Sequence, residues 1–260
     1  MAEPNPKELF DLGVKSIEAK DYIQAKKYFE KACDLKYGGG CGALGDLYDD
    51  VEKNLIKAAQ LYTKACELKE GLGCKRLGSL YYHGRGVEKN LTKAYQFYSK
   101  ACELEDGRGC DALWSLYKDG QGVEKNLTKA YQFYSKACEL EDGRGCDALW
   151  SLYKDGQGVE KNLTKAAYFY AKACDLKYGR GCNDLGELYY NGEDVEKNLT
   201  KAAQYASKAC ELKEGMGCGA LGGLYYNGNG VKRDSKKADQ YFSKACKLGS
   251  QKACEVLKEK

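Results

Sequence analysis

Lys-Ala-Cys-Glu-Leu-Lys-Glu-Gly-Leu-Gly-Cys, residues 64–74, places two cysteines eight positions apart across a charged and then glycine-rich stretch. The same arrangement occurs along the whole chain. Its pairs are Cys33/Cys41, Cys66/Cys74, Cys102/Cys110, Cys138/Cys146, Cys174/Cys182, Cys210/Cys218 and Cys246/Cys254, which take up all 14 cysteines. From Cys66 onward the pairs recur every 36 residues. The first step is 33, because Leu47-Tyr48-Asp49-Asp50-Val51-Glu52 lacks the Gly-x-Gly seen in His83-Gly84-Arg85-Gly86-Val87. A fixed period of this length predicts a stack of like units, each burying its apolar face on the next, and overrides the usual division of 260 residues into one or two globular domains.

One period reads as a short helix, a glycine turn and a longer helix. Cys74, Leu77, Gly78, Leu80 and Tyr81 recur at helical spacing, and Gly84-Arg85-Gly86 stops that helix, since glycine takes the left-handed conformation at little cost. Asn90 caps the second helix, whose buried stripe is Leu91, Ala94, Tyr95, Tyr98, Ala101 and Cys102. Residues 7–36 form a related pair without the leading cysteine, in which Asp21 caps the second helix. Residues 1–6 read as a tail, 37–248 as six repeats, and 249–260 as a terminal amphipathic helix that covers the last apolar face.

In this register the first cysteine of each pair ends one repeat and the second begins the next across a short loop. Antiparallel neighbours so connected bring two cysteines to disulfide distance, roughly 5.5 Å between Cα atoms. Zinc is the rival for regularly spaced thiols, but its sites converge ligands in fours at shorter spacings, and His83 is the single histidine. Paired cysteines in this number predict a secreted or periplasmic protein. The chain opens on polar Met1-Ala2-Glu3-Pro4 without a signal peptide, as a mature sequence given a start methionine would.

Composition narrows the function. Charged residues are 31% of the chain and the net charge is only +4, which argues against a nucleic-acid polycation. No apolar run is long enough to span a membrane. No cofactor or metal motif is read. The 22 tyrosines recur at fixed helical positions, as packing residues do.

The recurring Cys-x2-Leu-Gly-x-Leu-Tyr, Gly-x-Gly-Val-x-Lys-Asn and Tyr-x-Lys-Ala-Cys elements resemble the Sel1-like repeat, a relative of the tetratricopeptide repeat, from Lys7 to Leu257. With the added cysteine pair, the chain is similar to the Helicobacter cysteine-rich proteins. That resemblance implies an all-α fold, a right-handed α-α superhelix (solenoid) of helix pairs stapled by disulfides within each cysteine pair. It also implies secretion, penicillin binding with weak β-lactam hydrolysis in some members, and host or cell-envelope protein partners.

Two features depart from the pattern. Trp114 and Trp150 stand where other repeats have Gly45, Gly78, Gly186 and Gly222. If that glycine lets the paired helices approach alanines such as Ala58 or Ala94, a tryptophan must splay the helices or swing outward. Residues 86–130 and 122–166 are also identical, which points to recent duplication or deliberate construction, and in the latter case to a scaffold with no ligand of its own.

Chemistry has few candidates. Asn90, Asn126, Asn162 and Asn198 head glycosylation sequons, yet Asn54 holds the same place without a threonine, so helix capping explains them. Ser115-Leu-Tyr-Lys118 and Ser151-Leu-Tyr-Lys154 match the nucleophile motif of serine β-lactamases, although Ser-Asp-Asn and Lys-Thr-Gly occur nowhere in the chain. A β-lactam or peptidoglycan-like small molecule is the ligand they would take, and no catalytic residue is assigned on a match this short. His83 reads as a loop residue. What remains is the concave face lined by first helices. Its inward positions are Arg108, Asp111, Ser115 and Lys118, then Arg144, Asp147, Ser151 and Lys154, then Arg180, Asn183, Glu187 and Tyr190. Repeated basic side chains there suit the carboxylates of a protein or peptide ligand. The sequence therefore predicts a secreted protein-binding solenoid, with a weak penicillin-binding enzyme and a ligandless scaffold as alternatives.

Overall fold

Asparagine and glycine punctuate this chain at one period, and the helices begin and end on them. Asn54, Asn90, Asn126, Asn162 and Asn198 each accept, through Oδ1, the backbone N–H three residues on, at 2.9–3.1 Å. Gly84, at φ +70°, closes the preceding helix in the left-handed region with its N–H bonded to the Leu80 carbonyl. The computed structural model describes residues 5–192 and 195–258, which hold fifteen α-helices and no strand. Residues 1–4 of the expected tail and 259–260 of the expected terminal helix lie outside the described residues.

The chain divides into two compact units, ending at Leu140 and starting at Glu141. The first contains α1 (Pro6–Glu18), α2 (Tyr22–Asp34), α3 (Gly38–Asp50), α4 (Leu55–Glu67), α5 (Gly71–His83), α6 (Leu91–Glu103), α7 (Gly107–Asp119) and α8 (Leu127–Glu139). The second contains α9 (Gly143–Asp155), α10 (Leu163–Asp175), α11 (Gly179–Asn191), α12 (Leu199–Glu211), α13 (Gly215–Asn227), α14 (Ser235–Lys247) and α15 (Gln251–Lys258). Within each unit every helix packs on the next in the chain, which is the stacked-hairpin order of an α-solenoid. The shorter first step is visible at α3, which ends at Val51 without a left-handed glycine.

Close approach at the repeat junctions follows from Gly-Cys opposite Ala-Cys. A Cβ placed on Gly73 would lie 2.5 Å from the Cβ of Ala65, so only hydrogen fits. The cysteines following these two residues, Cys66 and Cys74, are bonded at a Cα separation of 4.5 Å. Cys33–Cys41, Cys102–Cys110, Cys174–Cys182 and Cys210–Cys218 have the same arrangement, with Cα separations of 4.4–4.7 Å, while Cys246–Cys254, where Ala253 stands in place of the glycine, has 4.8 Å. Cys138 and Cys146 are also in the disulfide state, and no described cysteine is free. Where alanine faces glycine, the separations sit at the short end of the disulfide range because the helices nearly touch. Cysteines held in disulfides have no thiolates to ligate zinc.

Between the helices of a pair runs a second regular device. Tyr81 stacks on Phe97, Tyr117 on Phe133, Tyr153 on Phe169, Tyr189 on Tyr205 and Tyr225 on Tyr241, with ring centroids 5.5–5.7 Å apart. A lysine ammonium lies 4.8–5.4 Å above each first-helix ring, from Lys93, Lys129, Lys165, Lys201 and Lys237. His83 is the last residue of α5, edge-on to Tyr82, rather than a loop residue.

Of the two expectations for the tryptophans, the outward swing needs correction. The glycine they replace faces an aromatic ring of the second helix: Tyr62 for Gly45, Tyr98 for Gly78 and Phe242 for Gly222. Trp114 and Trp150 neither swing into solvent nor lose this partner. They are half-buried and stack on Tyr134 and Tyr170 at 4.3 and 4.2 Å. The flat indole stacks on the ring that in the glycine pairs fills the slot alone.

A Cys210→Ser/Cys218→Ser variant should lose roughly 2–3 kcal/mol in urea unfolding, the loop-closure value for so short a crosslink. Mass spectrometry of the unreduced wild type should find only crosslinks between cysteines eight apart; a long-range linkage would contradict the junction geometry.

Candidate functional site

First helices alternate with second helices in sequence, yet they also touch each other directly: α1 with α3, α3 with α5 and α5 with α7 in the first unit, α9 with α11 and α11 with α13 in the second. The predicted inward residues lie on this first-helix layer, and the structure sorts them into distinct groups.

Arg108 and Arg144 fold back on their own helix starts. Arg108 Nε and Nη2 donate to the two carboxylate oxygens of Asp106 at 3.2 and 2.8 Å, and Arg144 repeats both bonds to Asp142. Each aspartate is the N-cap, so the forked pair neutralises a charge that already serves the helix. Arg180 differs because Tyr178 occupies its N-cap position. Its guanidinium lies 3.7 Å from Asp184 and beside Asp147, whose charge is the main reason its pKa is raised.

Asp147 is the perturbed acid of this face. Burial raises its carboxyl from an ordinary 3.8 to about 6, against the opposing pull of Arg180. Its Oδ1 is buried and, like the indole Nε1 of Trp150 one turn along α9, has no hydrogen-bond partner among the described residues. Burial also raises the Tyr170 hydroxyl, with Asp184 and Asp147 adding to the effect. Sequence reading missed Asp184 and Tyr170 as members of this cluster; the exchange of Asp for Tyr before Gly-Arg at 178–180 was the available signal. Asp111, the counterpart of Asp147, is half-buried and engaged in interactions of its own.

The Ser-x-x-Lys pairs are not assembled for acyl transfer. Lys118 and Lys154 lie over the indoles of Trp114 and Trp150 at 4.6 and 4.8 Å. Ser151 Oγ donates to Asp155 at 3.5 Å, and among the described residues no hydrogen bond joins either serine to its lysine. Without its lysine in contact, neither serine has the activating base that the Ser-x-x-Lys motif supplies.

Asn183, Glu187 and Tyr190 line a cleft of about 230 Å³ between α11 and α13. Its floor is Ala202 and Ala206 of α12, and its far wall carries Ala220, Gly223 and Asn227. That scale is below the roughly 300–1,000 Å³ of pockets for drug-sized ligands. Among the described residues no cluster of His, Cys, Asp or Glu has the geometry to hold a metal, and no helix is long and apolar enough to cross a membrane.

Stacked antiparallel helix pairs with a polar first-helix layer define an α-solenoid repeat protein. The Sel1 repeat model matches residues 9–37, 40–70, 72–106, 112–142, 148–178, 179–214 and 216–250, and the chain belongs to the Sel1 repeat family. The first match covers the pair expected to be tetratricopeptide-like. Among curated proteins, HcpC of Helicobacter pylori J99, provisionally named a β-lactamase, is 62% identical over 58 residues, 21% of this chain and 20% of HcpC. The β-lactamase HcpA of the same strain is 54% identical over 50 residues, 19% of this chain and 20% of HcpA. The matched stretches thus span about a fifth of either relative. Among solved structures, a Sel1 repeat protein from Oxalobacter formigenes is 26% identical with a TM-score of 0.72, covering 91% of this chain and 96% of that one. A protective antigen of uropathogenic Escherichia coli with an SLR fold is 25% identical with a TM-score of 0.73, covering 96% of this chain and 55% of that one.

Asp147 should leave a pH signature. Its folded pKa is raised, so the folded chain holds a proton that the unfolded chain releases between about pH 4 and 6. The stability this contributes is full below pH 4 and lost as pH rises to 6. Asp147→Asn should therefore raise the thermal midpoint at pH 7.5 and match wild type at pH 3.5, measured by circular dichroism.

Proposed function

We propose that this disulfide-rich Sel1 repeat protein binds extended peptide segments of other proteins along its first-helix layer, outside the reducing cytosol. The cleft between α11 and α13 carries the reading: it brings three of the predicted inward residues, Asn183, Glu187 and Tyr190, around one opening. A short opening with an apolar floor and a polar rim suits one side chain of a peptide whose backbone runs over the rim. Lys154 adds a cationic head on α9, in the same unit as the cleft, for acidic side chains. Partners of host or cell-envelope origin fit a chain whose cysteines are disulfide-bonded. In this reading residues 7–36 are the N-terminal pair, 37–248 the six repeats that present the layer, and 249–260 the cap. The oxidised full-length chain, panned against a displayed random-peptide library, should enrich binders. Asn183→Ala/Tyr190→Ala should weaken them at least tenfold in fluorescence anisotropy. Failure to enrich, or binding indifferent to these changes, would sink the proposal.

The β-lactamase names of HcpA and HcpC motivate a second reading, hydrolysis of β-lactam amides. The unactivated serines argue against them as its nucleophiles. Any hydrolysis of a chromogenic cephalosporin by wild type should persist at the same rate in Ser115→Ala/Ser151→Ala. Loss of activity in that variant would restore the enzymatic assignment.

A further inference from the structure

Seven helix pairs carry a slot opposite one first-helix residue, and in six of them a ring from the second helix fills it. The ring comes from the residue seven positions into each second helix: Phe29, Tyr62, Tyr98, Tyr134, Tyr170 and Phe242. In the α11–α12 pair that residue is Ala206, and the facing residue is Gly186. A Cβ on Gly13, Gly45, Gly78 or Gly222 would meet the ring within 2.4–2.9 Å, whereas on Gly186 it meets nothing closer than backbone at 3.3 Å. Tyr205 does not substitute, because it is stacked on Tyr189 in the ring ladder. The ring is missing, and the cleft with Gly186 and Ala206 in its walls lies where it would be.

The residue after the slot glycine reports which ring belongs there. Where the ring is tyrosine, that residue is polar: Tyr62 donates its hydroxyl to Asp46 at 2.7 Å, and the Tyr98 hydroxyl is bonded to Ser79. Where the ring is phenylalanine, the residue has no acceptor: Val14 stands beside Gly13, and Gly223 beside Gly222. At the vacant slot it is Glu187, a carboxylate lining the cleft.

We propose that the α11–α13 cleft is a recognition pocket for a tyrosine side chain of a partner peptide, its ring taking the place left by Ala206 and its hydroxyl donating to Glu187. The inference rests on the peptide-binding reading and specifies its side chain. Asn227 and Asn229 at the mouth offer amides to the peptide backbone on either side of that tyrosine. A phenol donating to a carboxylate forms a charge-assisted hydrogen bond, which sets tyrosine apart from phenylalanine.

The test titrates the oxidised full-length chain with N-acetyl-tyrosinamide and N-acetyl-phenylalaninamide, followed by amide shifts in two-dimensional NMR. A tyrosine-containing peptide selected by panning and its Tyr→Phe version are titrated in parallel. Shifts should centre on Gly186 and Gly223, and tyrosine should bind roughly tenfold more tightly than phenylalanine in both formats. Glu187→Gln, at an exposed position that folding tolerates, should shrink that preference to twofold or less. Ala206→Tyr should fill the slot from within, abolish the shifts and raise the thermal midpoint. Equal binding of tyrosine and phenylalanine, an undiminished preference in Glu187→Gln, or shifts elsewhere would overturn the proposal. If peptides bind the first-helix layer while the tyrosine amide leaves Gly186 and Gly223 unmoved, this inference fails and the peptide-binding reading stands. If the amide binds but no tyrosine peptide does, the peptide occupant is wrong.

Discussion

Contact between an alanine and a glycine at repeat junctions within each unit, as at Ala32/Gly40, Ala65/Gly73, Ala101/Gly109, Ala173/Gly181 and Ala209/Gly217, is the constraint on which the rest of this structure depends. With Ala65 against Gly73, the last turn of one repeat and the first turn of the next approach until their backbones nearly touch. That proximity is what allows Cys66 and Cys74 to bond across so short a connection. It also forces the tight turn between them, where Lys69 takes a left-handed φ of +62° that a non-glycine residue resists. The disulfide holds that turn in place. A solenoid has no central core and frays at its interfaces, so a covalent staple at each interface acts where opening would begin.

With the junctions fixed, the two helices of each pair have only their own facing residues to arrange, and those residues diversify the repeats. The slot opposite the second-helix ring is met by glycine in most pairs and by tryptophan at 114 and 150, and in one pair it is left without its ring. Sites on such a framework arise from local departures from the repeat, and both clusters on the first-helix layer are departures of this kind. Tyr178 in place of an aspartate frees Arg180 for Asp147 and Asp184, and Ala206 in place of an aromatic opens the cleft.

Much of the architecture was legible in the sequence because its determinants are local. The asparagine caps, glycine stops and cysteine pairs lie within a few residues of what they control, and the identical segments around Trp114 and Trp150 accordingly fold into closely matching contacts. The candidate site was only half legible. Spacing placed Asn183, Glu187 and Tyr190 on one face, which the cleft gathers together. It could not show that Arg108 and Arg144 would turn back to their cap aspartates, because that choice depends on side-chain rotamers and on the nearest available carboxylate. The reading of the slot failed for a related reason: residue spacing shows that two helices face each other, but not which side chain reaches across.

What the sequence determined by itself is the repeat, its asparagine caps and glycine stops, the pairing of its cysteines and the family to which the chain belongs. All are written in short-range signals repeated often enough to be unambiguous. What only the tertiary structure decided is which positions of neighbouring helices share one volume. Whether Gly186 means close packing or vacant space depends on Ala206, twenty residues away and on another helix. Burial, the raised pKa of Asp147 and the cleft beside Glu187 are properties of volumes enclosed by several helices, and such volumes come into existence only when the helices pack.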